Sequence, residues 1–191
     1  MKNGNAALSV CWRRLQSLGL DYCCLTGHED GMVIEGVVIG EDHVRFGATY
    51  KVMTDKHLCT RLVKISLAAG PCLHLSSDGQ GHWQDELTQA PLSSLDGCLD
   101  VDISMTPATN ALPIKRLGLG QGEEATMPVA YIPLPTPSTD RWEPEPATQR
   151  YTCLKFQRSY RYENLSSGFD TTIDVDDEGL VLNYPGIFQR V

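Results

Sequence analysis

The chain has 191 residues, with 16 Lys and Arg against 24 Asp and Glu, for a formal net charge of −8. That length is the size of one domain and can bury roughly 70% of its unfolded surface, so the fold needs no disulfide or metal staple. The acidity weighs against a phosphate-backbone partner, which needs a basic face, and the 41% hydrophobic content argues against wholesale disorder.

In chain order, the first segment is the one with helical spacing. Leu8, Cys11, Trp12, Leu15 and Leu18 predict a short amphipathic helix, with a strand over residues 9–15 as the alternative. The apolar run that starts at Ala6 is cut by Arg13 and Arg14, too early for a secretory segment, so the chain reads as cytoplasmic. Period-two patterns follow. Residues 32–39 are a β-branched run, residues 40–42 a hairpin loop, and Val44, Phe46, Ala48, Tyr50 and Val52 alternate with polar neighbours. Residues 58–67 and 72–75 read as strands split by Ala69-Gly70-Pro71, and Leu99, Val101, Ile103 and Met105 alternate with Asp100, Asp102 and Ser104. Further strands are expected at residues 129–132, 151–156, 160–162, 169–175 and 180–184, the last two joined by the turn sequence Asp176-Asp177-Glu178-Gly179. Residues 133–147 carry five prolines and read as an internal connection. The longest uncharged stretch, residues 125–139, holds four prolines and cannot be a membrane helix. These elements predict a mainly β, antiparallel fold with few short helices, one domain over residues 1–191.

Metal and cofactor signatures are weak. The seven cysteines include no C-x-x-C pair and read as free thiols, and neighbours Cys23 and Cys24 point to opposite faces of a strand. Asp174, Asp176 and Glu178 half-match a calcium loop, but Pro185 stands where a bidentate Glu is required. Gly118, Gly120 and Gly122 lack the spacing of a phosphate cradle, and His28, His43, His57, His74 and His82 do not cluster. No cofactor and no metal are expected.

Two constellations carry chemistry. Asp100 and Asp102 share one strand face, with Cα atoms roughly 6.6 Å apart, although glycosidase carboxylates must face each other across a scissile bond. A polar ligand contact or a structural partner such as Arg116 are the competing readings. If residues 150–162 form one continuous strand, Arg150, Leu154, Phe156, Arg158, Tyr160 and Tyr162 share a side. That mixture suits an acidic amphiphile, and a break near Gln157-Arg158-Ser159 changes the parity.

From residue 78 the sequence becomes recognisable. Asp78-Gly79-Gln80-Gly81-His82-Trp83, Leu95-Asp96-Gly97-Cys98-Leu99-Asp100-Val101-Asp102, the stretch from Thr106-Pro107 to Arg116-Leu117, Gln149-Arg150-Tyr151, Tyr160-Arg161-Tyr162-Glu163 and the closing Tyr184-Pro185-Gly186-Ile187-Phe188 follow one another. Together they resemble the bacterial putative glycolipid-binding family, formerly a domain of unknown function, in detail over residues 78–191. The resemblance implies an open spiral β-roll or half-barrel and an amphiphilic ligand, a glycolipid or fatty-acid-like molecule. Ala108 and Ala111 stand where the resemblance leads one to expect a bulkier residue and a hydroxyl. The expected activity is therefore non-enzymatic binding of an amphiphile. Its head would meet Trp83, Asp100, Asp102, Arg116 or Arg150, its acyl part would lie against aliphatic and aromatic strand faces, and Tyr160 and Tyr162 complete the expected ligand-binding residues. A hydrolase or isomerase using Asp100 and Asp102, and a protein-interaction module, are the alternatives. No nucleic-acid partner and no membrane span are expected, and oligomeric state is not legible.

Overall fold

The computed structural model describes residues 7–42, 44–135 and 141–191; residues 1–6, His43 and residues 136–140 of the proline-rich segment lie outside them. Among the described residues the chain forms fifteen strands and one α-helix. The first half holds β1 (Leu8–Arg14), β2 (Gly19–His28), β3 (Gly31–Glu41), β4 (Arg45–Thr54), β5 (Thr60–Leu67), β6 (Cys72–Ser77), β7 (Trp83–Asp85) and β8 (Ala90–Pro91). The second half holds β9 (Asp100–Ile103), α1 (Ala111–Leu117), β10 (Glu124–Ile132), β11 (Glu145–Lys155), β12 (Ser159–Asn164), β13 (Phe169–Val175), β14 (Val181–Tyr184) and β15 (Phe188–Arg190).

All fifteen strands belong to one sheet, in the order β8-β7-β6-β5-β4-β3-β2-β1-β15-β14-β13-β12-β11-β10-β9. Every pairing is antiparallel except β9 with β10. The sheet is curled. Its two ends meet through loop contacts: Thr60 N–H donates to Leu99 O (2.8 Å), Gly97 N–H to Gly81 O (3.0 Å) and Trp83 Nε1 to Cys98 O (2.8 Å). The close approach of Gly81 to Gly97 needs glycine, since a Cβ at Gly81 would lie 2.7 Å from the Gly97 Cα. β9 is an edge strand, yet Val101 and Ile103 on one face and Asp100 on the other are buried. This edge is covered by the segment that follows it: Ile103 N–H donates to Thr109 Oγ1 (3.3 Å) and Ile103 O accepts from Thr106 N–H (3.1 Å).

The roll is filled. Every residue from 105 to 114 is buried, so the segment running from a 3-10 turn (Ala108–Asn110) into α1 forms an internal plug. Ala108 and Ala111 are both fully buried, and their small side chains let the plug sit close to the strands. Pro113 falls in the first turn of α1, where its missing N–H is tolerated. Gly118 closes the helix in the left-handed conformation (φ 56°). The plug is anchored by polar bonds: Thr106 Oγ1 donates to Asp21 Oδ2 (2.5 Å), and Tyr151 OH donates to Asn110 Oδ1 (2.8 Å).

Four expectations change. Leu8–Arg14 is a strand, not a helix: Trp12 is buried and pairs opposite both Asp21 and Arg190, because this segment joins the two halves of the sheet. Its indole donates to Val181 O (2.6 Å). Tertiary pairing outweighs the helical spacing there. The one α-helix among the described residues lies instead within the recognisable stretch from Thr106 to Leu117, where no element is predicted. Residues 150–162 do not form one strand. The chain reverses at residues 156–158, setting Arg150 opposite Glu163 and Tyr151 opposite Tyr162. Part of the proline-rich segment is also strand: Pro146 pairs with Ala130, in a stretch of β11 that overhangs β12, where no N–H is needed.

Candidate functional site

The hairpin alternation gives the roll two ends with different chemistry. The β1–β2, β12–β13 and β14–β15 connections lie at what is here the upper end, and the β2–β3, β4–β5, β11–β12 and β13–β14 connections at the lower. At the upper end a cleft of about 200 Å³ opens beside the plug.

Asp102 forms its deep wall. On β9 it pairs with Tyr131 of β10, which turns both side chains to the inner face. Gln149 of β11, itself buried, donates its Nε2–H to Asp102 Oδ2 at 2.6 Å. The nearby Tyr162 and Thr109 hydroxyls also favour the carboxylate's charged form. Burial pushes the Asp102 carboxyl above its ordinary range, and these groups pull it back only in part. Asp102 makes no ion pair among the described residues. A deep carboxylate held by amide and hydroxyl groups, and open to a cleft, retains acceptor capacity for a ligand.

Aromatic rings make the rest of the wall. Tyr162 meets Tyr151 edge-on at 5.2 Å and Tyr184 at 6.0 Å. Phe169 packs 6.2 Å from both Tyr162 and Tyr184, and Tyr184 lies 6.4 Å from Phe188. Burial raises the Tyr162 and Tyr184 hydroxyls far above their usual values, so both are neutral donors at any physiological pH. Asn164, Ser104 and Ser167 add polar groups at the mouth.

The structure brings Asp102 and Tyr162 together in this cleft and distributes the other expected site residues elsewhere. Asp100 shares the face of Asp102, but Arg116 takes both its oxygens (Nε to Oδ1 3.1 Å, Nη2 to Oδ2 2.5 Å). Burial pushes the Asp100 carboxyl up while the guanidinium pulls it down. Trp83 is buried against Cys98 at the seam between the sheet ends. Arg150 turns away from Tyr162 and binds Glu163 through two hydrogen bonds of 2.7 and 2.6 Å. Tyr160 is buried and faces a different crevice, at the lower end. Among the cleft residues missing from the sequence reading are Tyr131, Asn164, Phe169, Tyr184 and Phe188, together with Gln149, which bonds to Asp102. Placing the reversal at residues 156–158 would have put Gln149, Tyr162 and Asn164 on one face. Tyr184 and Phe188 arrive through a sheet order that period alone does not reveal.

A family model described as "Putative glycolipid-binding" matches residues 9–190. The chain belongs to this family. The match takes in the first half of the sheet as well as the recognisable motifs. A solved structure of a DUF1089 family protein from Pseudomonas aeruginosa is 36% identical, with a TM-score of 0.76 over 94% of this chain and 95% of that one. No curated protein matches. Among the described residues no helix is long and apolar enough to cross a membrane.

Proposed function

We propose that the protein binds the sugar headgroup of a glycolipid in the upper cleft. The observation that carries this reading is Asp102: a deep carboxylate with no cationic partner among the described residues, facing a cleft walled by Tyr162, Tyr184 and Phe188. Sugar hydroxyls donate to carboxylates and amides, while their C–H faces pack on rings. The family's description supports the same ligand class. At about 200 Å³, the cleft falls below the roughly 300–1,000 Å³ of sites that enclose drug-sized ligands. It therefore holds a headgroup, and the tail lies outside, beginning over the exposed rings and methyls of Phe169 and Leu165. At the upper end the buried plug of residues 105–114 fills the interior, so the tail of a ligand seated in this cleft does not continue inward.

Hydrolysis by the carboxylate pair is the less supported reading, because Arg116 occupies Asp100 and leaves Asp102 as the only one of the two at the cleft. The interaction-module reading has its own feature, the exposed cross-strand pairs Leu20–Ile39 and Tyr22–Val37 on the convex face.

The test is calorimetric titration with octyl glucoside below its micelle concentration, against octyl phosphocholine, which has the same tail and no sugar. Binding selective for the glucoside is expected. Asp102→Asn should weaken it about 10- to 100-fold, the value of a hydrogen bond to a charged group. Equal affinity for both detergents, or an unaffected variant, contradicts the reading.

A further inference from the structure

The lower end of the roll holds two crevices, of about 270 Å³ and about 470 Å³. The first is walled by Ile114, Phe156, Tyr160 and Val175. The second is walled by Leu8, Leu25 and Met32, with Gly27 and Gly31 as its floor. Leu58 and Lys115 line both, and Lys115 Nζ is paired with Glu178 Oε2 at 2.6 Å. Leu58 and Lys115 thus border both spaces, the first of which also takes in Gln157, Asp176 and Asp177 and the second Glu178. The larger crevice alone falls within the range of small-molecule sites, and the smaller extends it.

Leu58 is the second observation. It adopts a left-handed backbone conformation (φ 63°), which a leucine takes only under constraint. The constraint is visible: Leu58 N–H donates to Asp55 O (2.9 Å), and the Asp55 carboxylate accepts from the His57 and Cys59 N–H groups (2.9 and 3.1 Å). Asparagine or glycine would hold this turn without strain. The strained leucine instead presents an apolar wedge to both crevices.

The acidic turn beside the site is otherwise neutralised. Asp176 pairs with Arg190 (2.6 Å) and Asp177 with Arg158 (2.7 Å). Among the described residues Lys115 is the one cation lining either crevice, and its partner Glu178, with a side chain about half exposed (49%), can turn to water.

We propose that the lower end is a second binding site, for a long-chain fatty acid, whose carboxylate replaces Glu178 on Lys115 and whose chain lies along the two crevices past Leu58. The site is at the opposite end of the plug from the headgroup cleft and does not rest on that reading.

The experiment is fluorescence titration of the whole protein with 11-(dansylamino)undecanoate, followed by displacement with palmitate. Saturable one-to-one binding is expected. Lys115→Gln should weaken it at least tenfold, and Glu178→Gln should tighten it severalfold by removing the competing carboxylate. Leu58→Gly should weaken it at least tenfold while leaving the melting temperature near that of wild type, because relieved backbone strain offsets lost packing. Asp102→Asn should leave it unchanged. Absence of saturable binding in both wild type and Glu178→Gln overturns the proposal, as does wild-type affinity in Lys115→Gln and Leu58→Gly. Displacement of the probe by octyl glucoside at its cleft-saturating concentration also overturns it, by placing both ligands in one site.

Discussion

Four buried or half-buried carboxylates behave differently because each has a different neighbour. Asp100 faces Arg116 with both partners largely out of water. Such a pair adds little net stability, but removing one member strands the other. Arg116→Ala should therefore lower unfolding free energy by roughly 3–5 kcal/mol in urea denaturation, whereas the double change with Asp100→Leu should recover most of the loss. Glu163 lies on the outer face between Arg150 and Arg161, which hold its carboxyl below the usual range. Asp21 has donors, Tyr50 OH (3.1 Å) and Thr106, but no directly paired cation among the described residues. Burial pushes its carboxyl from 3.8 up to about 7, against the pull of those bonds and of Arg14. Between those two values the folded state holds the extra proton, so this group's contribution is full below 3.8 and lost as pH rises through about 7. Stability should fall across that window by up to about 1.4 kcal/mol per pH unit, and Asp21→Asn should remove this slope from the pH series. Asp102 is raised too, so it should lose its charge, and with it the stronger charge-assisted acceptance, at a higher pH than an ordinary carboxylate does. Affinity for octyl glucoside should drop with it, which a pH series of titrations will show.

At the scale of elements, the strands were largely legible and their partners were not. The alternation of Val44 to Val52 is β4, and Asp176 to Gly179 is the β13–β14 turn, because half-buried strands and tight turns write their geometry into local sequence. Leu8–Arg14 misled because its apolar residues fit two periods, and only pairing with both β2 and β15 decides between them. α1 was illegible for a related reason: a helix buried inside a roll shows no amphipathic stripe, and Pro107 and Pro113 mimic a loop. The site was legible in part. Asp102 and Tyr162 were named, but Tyr184 and Phe188 join them through sheet order. Glycines give a direct test of the hairpin geometry. A Cβ at Gly31 (φ +144°) would lie 2.2 Å from Thr54 O, whereas Gly168 (φ +75°) has open space around it. Gly31→Ala should cost about 2–4 kcal/mol, combining backbone strain and overpacking. Gly168→Ala should cost about 1 kcal/mol, from strain alone; denaturant melts will separate the two.

The whole molecule is a curled sheet around a plug that separates two ends of unlike chemistry. With a net charge of −8, its overall field disfavours anionic ligands at long range, which suits a neutral sugar in the upper cleft. The most direct test of that central claim is amide chemical-shift mapping of the labelled protein titrated with octyl glucoside. The account predicts saturable shifts clustered at Asp102, Tyr162, Asn164, Tyr184 and Phe188, absent in Asp102→Asn. Shifts confined to Leu58, Lys115 and Val175 at the lower end, or no saturable shifts, would contradict it.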